Sequence, residues 1–277
     1  MQTKLNDYNE IDLLYTLMTY INVSSSQDMY YTIALTILNH LEEIPNISIN
    51  DLADMCYTSP ATISRFCKDL NCKNFAAFKR GMAQALALAE DEIHLREDTK
   101  HLINDNPQYL IDKIYDDTVI SLQMARPELD IKKIDEVVKL IHDAKSVHMF
   151  GYQFSRIVCN DFQLKMLKLK KFIYAFVNRG NEIQKLETIE ENELVIIVTV
   201  SARKELIDSL VRKVKEYKPK ILVVTMNKNY TNPLVDYYYY LTGKESDYTQ
   251  SAMMGTVDMM TLFNVIYVRY GLLYGNE

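Results

Sequence analysis

The chain has 277 residues, 48% of them hydrophobic, with 31 Lys and Arg against 37 Asp and Glu for a formal net charge of −6. That length suits two domains, and the apolar share suffices for packed cores. No apolar run approaches the ~20 residues that cross a bilayer. The mild acidity argues against a surface coated in nucleic acid but leaves room for one local basic patch. The polar, acidic start MQTKLNDYNEID is unlike a signal peptide. Cys56, Cys67, Cys72 and Cys159 form no CxxC pair. They read as reduced, structural thiols of a cytoplasmic protein.

In chain order, the apolar spacing predicts helices over Asn9–Asn22 and Asp28–Glu43, the second stopped before Pro45. Ser48 then caps a helix with Ile49, Leu52, Ala53 and Cys56 on its buried face. Tyr57 and Thr58 break the period. Ser59 caps a further helix, and Pro60 takes its first position, where a missing N–H costs nothing. In that helix Ile63, Phe66, Cys67 and Leu70 point inward. Ser59, Ala61, Thr62, Ser64, Arg65 and Lys68 are left along its start and outer side. A short turn between two helices, the second with a polar and basic face, is the arrangement that enters a DNA major groove. Small hydroxyls at a helix start hold phosphates, and a guanidinium reads guanine or clamps phosphate. Between Thr58 and Arg80 stand five basic residues (Arg65, Lys68, Lys73, Lys79, Arg80) and one acidic residue, Asp69. An ordinary helical hairpin with a solvated basic face has the same pattern.

The run LADMCYTSPATISRFCKDLNCKNFAAFK adds detail. It resembles the DNA-binding segment of RpiR-type transcription regulators in Leu52-Ala53, in Ser59 to Phe66 and in Phe75 to Lys79. It departs at Leu70-Asn71-Cys72, where the family has Leu-Gly-Phe. The resemblance implies DNA contacts from Ser59, Ala61, Thr62, Ser64, Arg65, Lys68, Lys73 and Lys79.

An Ala-rich helix is expected over Met82–Arg96, and Asn104-Asp105-Asn106-Pro107 is a breaker, so the linker is placed near Asp98–Gln108. A helix follows to about Arg126, and another from Asp130 to Ala144. Strands are expected at Ser146–Phe150, Phe172–Val177, Leu194–Thr199, Ile221–Thr225 and Tyr237–Leu241, with helices at Arg156–Leu169 and Lys204–Tyr217 and a closing helix at Ala252–Tyr274. Alternating strands and helices imply a parallel sheet with right-handed crossovers. The Tyr237–Tyr240 run fits a marginal strand with tyrosines on both faces.

Ligands bind such sheets at the carboxyl ends of the strands. Three loops fall there: Gly151–Ser155, Val200–Arg203 and Met226–Asn232. Ser155 and Ser201 each stand just before an expected helix, where a hydroxyl and free N–H groups hold a phosphate, with Arg203 adding charge. Both serines would serve equally as plain N-caps. From about Ile131 on, the chain resembles the SIS (sugar isomerase) domain that follows the DNA-binding domain in RpiR-type regulators. The resemblance implies ligand contacts at Gly151, Gln153, Ser155, Thr199, Ser201 and Arg203. Gln153 and Ala202 replace the usual glycines of the two loops.

For an isomerase, His142, His148, Glu182 and Glu187 form no evident acid–base constellation, and the five histidines (His40, His94, His101, His142, His148) lack metal spacing. No nucleotide fingerprint occurs. The expectation is therefore a non-enzymatic cytoplasmic regulator that needs no cofactor or metal. Its fold is an all-α helix-turn-helix domain (1–97), a linker and connecting helix (98–128), and an α/β SIS-like domain with a five-stranded parallel sheet (129–277). Its partners would be operator DNA, a phosphosugar or related anion, and its own copies in a homodimer or homotetramer, with no membrane. The alternatives are a phosphosugar isomerase and a ligand-independent dimeric DNA-binding protein.

Overall fold

A computed structural model describes residues 13–26, 28–70, 72–92, 97–151, 154–175, 188–244 and 252–275. They divide into two compact units that part at Glu90–Asp91.

The first unit is all helical: α1 (Leu13–Val23), α2 (Met29–Asn39), α3 (Ile49–Met55), α4 (Pro60–Asp69) and α5 (Phe75–Glu92). Its core is one apolar cluster from Leu13 and Leu17 through Ile33, Ile37, Leu52 and Ile63 to Phe78 and Met82. Phe66 of α4 lies at its centre, fully buried, with the edges of Tyr20 and Tyr30 at centroid distances of 5.9 and 5.2 Å. Helix α2 stops at Asn39, short of the expected Glu43, and successive turns follow to Asn46. Ile44, within these turns, is fully buried in the same core. All four cysteines are buried thiols outside any disulfide. Burial pushes the Cys67 thiol up to about 12, so it stays protonated and unreactive at neutral pH.

The second unit opens with α6 (Glu97–Asp105), which occupies most of the stretch expected to be a linker. The real break is confined to Asn106-Pro107, where the Asn106 side chain accepts from the Gln108 N–H at 3.2 Å and α7 (Gln108–Ala125) begins. A short 3-10 turn (Arg126–Glu128) and α8 (Ile131–Asp143) follow, α8 capped by Asp130. The rest alternates: β1 (Val147–Gly151), α9 (Phe154–Lys168), β2 (Ile173–Ala175), β3 (Leu194–Thr199), α10 (Lys204–Lys215), β4 (Lys220–Thr225), β5 (Tyr237–Tyr240) and α11 (Ala252–Tyr274).

The five strands are all parallel, in the order β2-β1-β3-β4-β5. Strand β3 is bonded on both edges and buried along its whole length. Such a strand reads as a continuous apolar run because helices cover both sheet faces. Met149, Ile196, Val198 and Val224 share one core with α8, α9 and α11. The alternate residues Val195, Ile197, Ile221 and Val223 are equally buried on the opposite face. The sequence reverses direction between β1 and β3: β1 leads to β2 on one side, β3 to β4 on the other. Right-handed crossovers then put α9 and α10 on opposite faces, which opens a crevice at the carboxyl ends of β1 and β3.

The tyrosine strand β5 lies at the sheet margin and uses both faces. Tyr239 is buried in the core, while Tyr238 and Tyr240 stack at 5.3 Å on the other side. Their hydroxyls donate to the Asn232 and Tyr230 carbonyls, both at 2.9 Å, and so pin the loop after β4.

One buried acid stands out. Asp258 of α11 is 2% exposed and accepts from Ser121 Oγ of α7 at 2.5 Å, while its Oδ1 has no partner among the described residues. Burial raises its pKa against the opposing effect of the Ser121 hydrogen bond. A carboxyl whose folded pKa is raised contributes most at low pH, and that contribution declines as pH climbs from about 4 through the raised value. Asp258→Asn is therefore expected to remove part of the acid-side stability. In urea titrations at steps from pH 4 to pH 7, the stability of the variant relative to wild type should climb with pH. A constant difference would mean the carboxyl does not titrate in that window.

Candidate functional site

In the helical unit α3 ends in a Schellman turn. The Thr58 N–H donates to the Ala53 carbonyl at 2.9 Å, and Tyr57 takes a positive φ of 51°. This sharp exit directs the chain into α4. Ser59 caps α4 by accepting from the Thr62 N–H at 3.2 Å, and the two hydroxyls lie 2.9 Å apart. Ile63, Phe66 and Cys67 are buried, so the opposite side of α4 faces outward. Of the residues expected to touch DNA, Ser59, Ala61, Arg65, Lys68 and Lys73 are exposed and Thr62 and Ser64 half-buried. The Arg65 Nε–H reaches back to the Ala61 carbonyl at 3.4 Å, which lays the guanidinium along the helix surface. Lys79 differs from the rest: its ammonium donates to the Ile47 carbonyl at 3.0 Å and lies 5.7 Å from the Phe75 ring centroid. It ties α5 to the approach to α3. Sequence reading passed over Tyr57, which the turn leaves 92% exposed beside Ser59. The signal lay in the turn geometry, since apolar periodicity marked it only as a break.

In the α/β unit the switch point brings two of the three expected loops together, because Gly151 pairs with Val198 at the ends of β1 and β3. A Cβ on Gly151 would sit 2.6 Å from the Ser155 backbone carbon and oxygen. Only glycine lets the start of α9 lie this close to the strand end. Ser155 is the second residue of α9 and buried, not a residue preceding the helix. Gln153 lies outside the described residues. In the second loop Thr199 Oγ1 accepts from the Ala202 N–H at 3.1 Å, and Ala202 holds a positive φ of 45°. The conformation that glycine usually supplies is thus kept with alanine. Ser201 is half-buried and stands two residues before Arg203, the N-cap residue of α10, whose side chain makes no capping bond. Ser201 is therefore no N-cap either. Its carbonyl accepts from Asn227 Nδ2 at 3.0 Å, which joins the second loop to the third. Arg203 is exposed.

Among the described residues, the candidate bases of an isomerase are each engaged within the fold. His148 is buried within β1, stacked on Tyr174 at 4.9 Å and bonded to the buried Glu193 at 2.9 Å. His142 stacks on Tyr274 at 3.7 Å. Glu182 and Glu187 lie outside the described residues.

A helical head with an outward, capped, basic second helix, followed by an α/β sheet with loops at its switch point, is a helix-turn-helix unit joined to a doubly wound α/β unit. Residues 22–89 match the helix-turn-helix domain of the rpiR family, and residues 140–269 match the SIS domain. The chain belongs to the RpiR-type regulators, with an N-terminal helix-turn-helix domain and a C-terminal SIS domain. It is 26% identical over 179 residues to the HTH-type transcriptional regulator HexR of Pseudomonas aeruginosa, covering 64% of this chain and 61% of that protein. It is 21% identical over 240 residues to an uncharacterized HTH-type transcriptional regulator of Caldanaerobacter subterraneus, covering 85% and 83%. A bifunctional protein glk of Burkholderia thailandensis is 22% identical over 170 residues, 60% of this chain and 25% of that protein. The chain thus spans only part of the length of several curated relatives it matches. In fold it is similar to the Vibrio vulnificus NanR protein complexed with ManNAc-6P, with a TM-score of 0.52, 20% identity and coverage of 96% and 93%. It is also similar to the sugar isomerase domain of an RpiR transcription factor from Sphaerobacter thermophilus, with a TM-score of 0.51, 14% identity and coverage of 60% and 92%.

The two glycine positions behave oppositely under substitution. Gly151→Ala should cost about 1–3 kcal/mol or more, because the added methyl must displace the backbone of α9. Ala202→Gly should gain up to about 1 kcal/mol by relieving the left-handed alanine, less the entropy of a freer unfolded chain. Urea unfolding followed by circular dichroism checks both signs. Equal losses at the two sites would contradict the geometry.

Proposed function

We propose that this regulator works as a dimer that holds a palindromic operator with two copies of α4 and senses a phosphosugar or related anionic metabolite at the carboxyl edge between β1 and β3. The observation that supports the reading is the switch point: Gly151 pairs with Val198 and lies against the first turn of α9, Thr199 and Ser201 follow at the end of β3, and helix N-termini suit a phosphate. Arg203, exposed at the start of α10, supplies positive charge there. Ser59, Ala61, Thr62, Ser64, Arg65 and Lys68 form the DNA-reading side of α4, Lys73 a flanking phosphate contact, and Lys79 a support for the helices behind it. The effector shifts operator affinity by favouring one arrangement of the paired chains, and a coupling of about 1–3 kcal/mol gives a 5- to 150-fold response. The ligand named for NanR, ManNAc-6P, is a sugar phosphate, which supports that ligand class. The protein acts without catalysis in the cytoplasm. His148 of β1 is held by Glu193 and Tyr174 inside the fold. Among the described residues, no helix is long and apolar enough to cross a membrane.

The deciding experiment selects bound duplexes from a random DNA pool at near-physiological salt, because low salt lets non-specific phosphate binding mask the specific site. An inverted repeat is the expected product. Against that duplex Arg65→Ala should lose about 1–3 kcal/mol and relax preference at one base pair. A loss that is uniform across sequences would make Arg65 a phosphate contact. Ser155→Ala combined with Ser201→Ala should abolish the response to pooled sugar phosphates. A surviving response would remove the two serines from the ligand site. No response from wild type would favour the ligand-independent dimer.

A further inference from the structure

Helix α7 has a composition at odds with its surroundings. It is 18 residues long, yet only Ser121 and Ala125 are buried. Ile111, Tyr115 and Val119 stand at i, i+4 and i+8 and are 53%, 71% and 48% exposed. Ile114, Ile120 and Met124 extend the apolar surface to either side. A helix that is apolar around so much of its girth belongs in an interior, and a patch this size on a folded unit marks an interface.

The same unit carries a second uncovered apolar stripe. Ile157, Leu164 and Leu167 of α9 are 49%, 58% and 52% exposed, and Phe172, just before β2, is 51% exposed. The rims of the two stripes differ in sign. Asp112 and Asp116, both exposed, lie one step around α7 from Ile111 and Tyr115. Lys168 and Lys170, both exposed, flank the end of the α9 stripe. Among the other charges near these stripes, Lys113 and Lys244 pair with Asp117 and Lys165 with Asp161, while the Lys171 ammonium donates to the His142 and Ala144 carbonyls. Packing α7 on its own copy would bring Asp112 and Asp116 against like charges. Packing α7 of one copy on α9 of another sets acid against base, and a two-fold axis repeats the contact with the roles exchanged.

We propose that α7 of one chain lies on α9 of a second chain and that the reciprocal contact closes a two-fold dimer. This rests on the dimer reading above and names its surfaces. A stable interface buries about 800 Å² per partner, and the exposed apolar side chains of α7, α9 and Phe172 are of that order. The contact also gives the dimer a route to function. Helix α7 is held to the segment after β5 by the Lys244 N–H to Ser121 Oγ at 3.0 Å and by Lys244 with Asp117, and to α11 by Ser121 with Asp258. A shift at the ligand edge therefore moves the dimer contact with it.

The test uses the full-length protein in sedimentation velocity across a concentration series. Wild type should sediment as a dimer or a dimer of dimers. Tyr115→Asp and Leu164→Asp should each raise the dimer dissociation constant at least about 30-fold, on the scale of central interface residues. Both positions are exposed, so thermal melts should keep the wild-type secondary structure. Asp116→Lys and Lys168→Glu should each weaken the dimer, and the two together should restore it. All four native cysteines are buried. Oxidation should therefore link chains carrying both Tyr115→Cys and Leu164→Cys, but not chains carrying Tyr115→Cys alone. A monomeric wild type would overturn the dimer reading itself. A dimer unmoved by Tyr115→Asp and Leu164→Asp, or a cross-link from Tyr115→Cys alone, would overturn the α7-on-α9 contact and leave the dimer reading intact.

Discussion

The second unit depends on the burial of β3. Leu194–Thr199 is bonded on both edges, against β1 and β4, and buried on both faces. A strand in that position requires helices on both sides, and the right-handed crossover then decides which helix goes where. Because β1 leads away on one side and β3 on the other, the loops that follow them part and leave a crevice. The location of the candidate ligand site is thus a consequence of strand order, settled before any side chain within it is chosen.

The carboxyl edge is held together by polar contacts as much as by packing. The Met226 N–H donates to the Val200 carbonyl, Asn227 Nδ2 to Ser201 O, and the tyrosine hydroxyls of β5 to the loop after β4. Glu128 accepts from Lys228 and Thr242, and the Lys228 hydrogen bond is the main force holding its carboxyl below the usual range. Burial pushes the Asp117 carboxyl up, but the hydrogen bonds from Lys113 and Lys244 outweigh it and hold the group low. These bonds carry the loops after β4 and β5 onto α7 and the turn that follows it. Each is individually modest, since partly exposed ion pairs contribute little. Their common direction runs from the carboxyl edge of the sheet toward α7.

Two kinds of constraint meet at the loops of the switch point. Gly151 is required by the close approach of α9, a steric matter that no other side chain meets. Ala202 shows the converse. It keeps the left-handed backbone, held in part by Thr199 Oγ1, although it carries a Cβ. Alanine at this position holds a backbone conformation that glycine takes with less strain. In the head, Lys79 shows how charge counting alone misleads, because an ammonium bonded to Ile47 and resting near Phe75 is a structural tie.

Much of this was legible in the residues themselves. Capping serines, Pro60 and helical spacing mark α3 and α4, and apolar runs mark all five strands, because those signals are local and act through neighbours a few positions away. Local signals failed where distant packing intervened. Helix α2 ends at Asn39, short of the expected Glu43, and α6 fills a stretch that polar residues made look like a linker. The sequence by itself determined the two-part architecture, the parallel sheet and the capped basic helix. Tertiary structure alone decided that Gly151 and Val198 stand side by side, that Ser155 is turned inward, that Asp258 is buried against Ser121, and that α7 is left with an uncovered apolar face. These facts join residues dozens of positions apart. They follow from strand order and helix packing, which no window of the sequence contains.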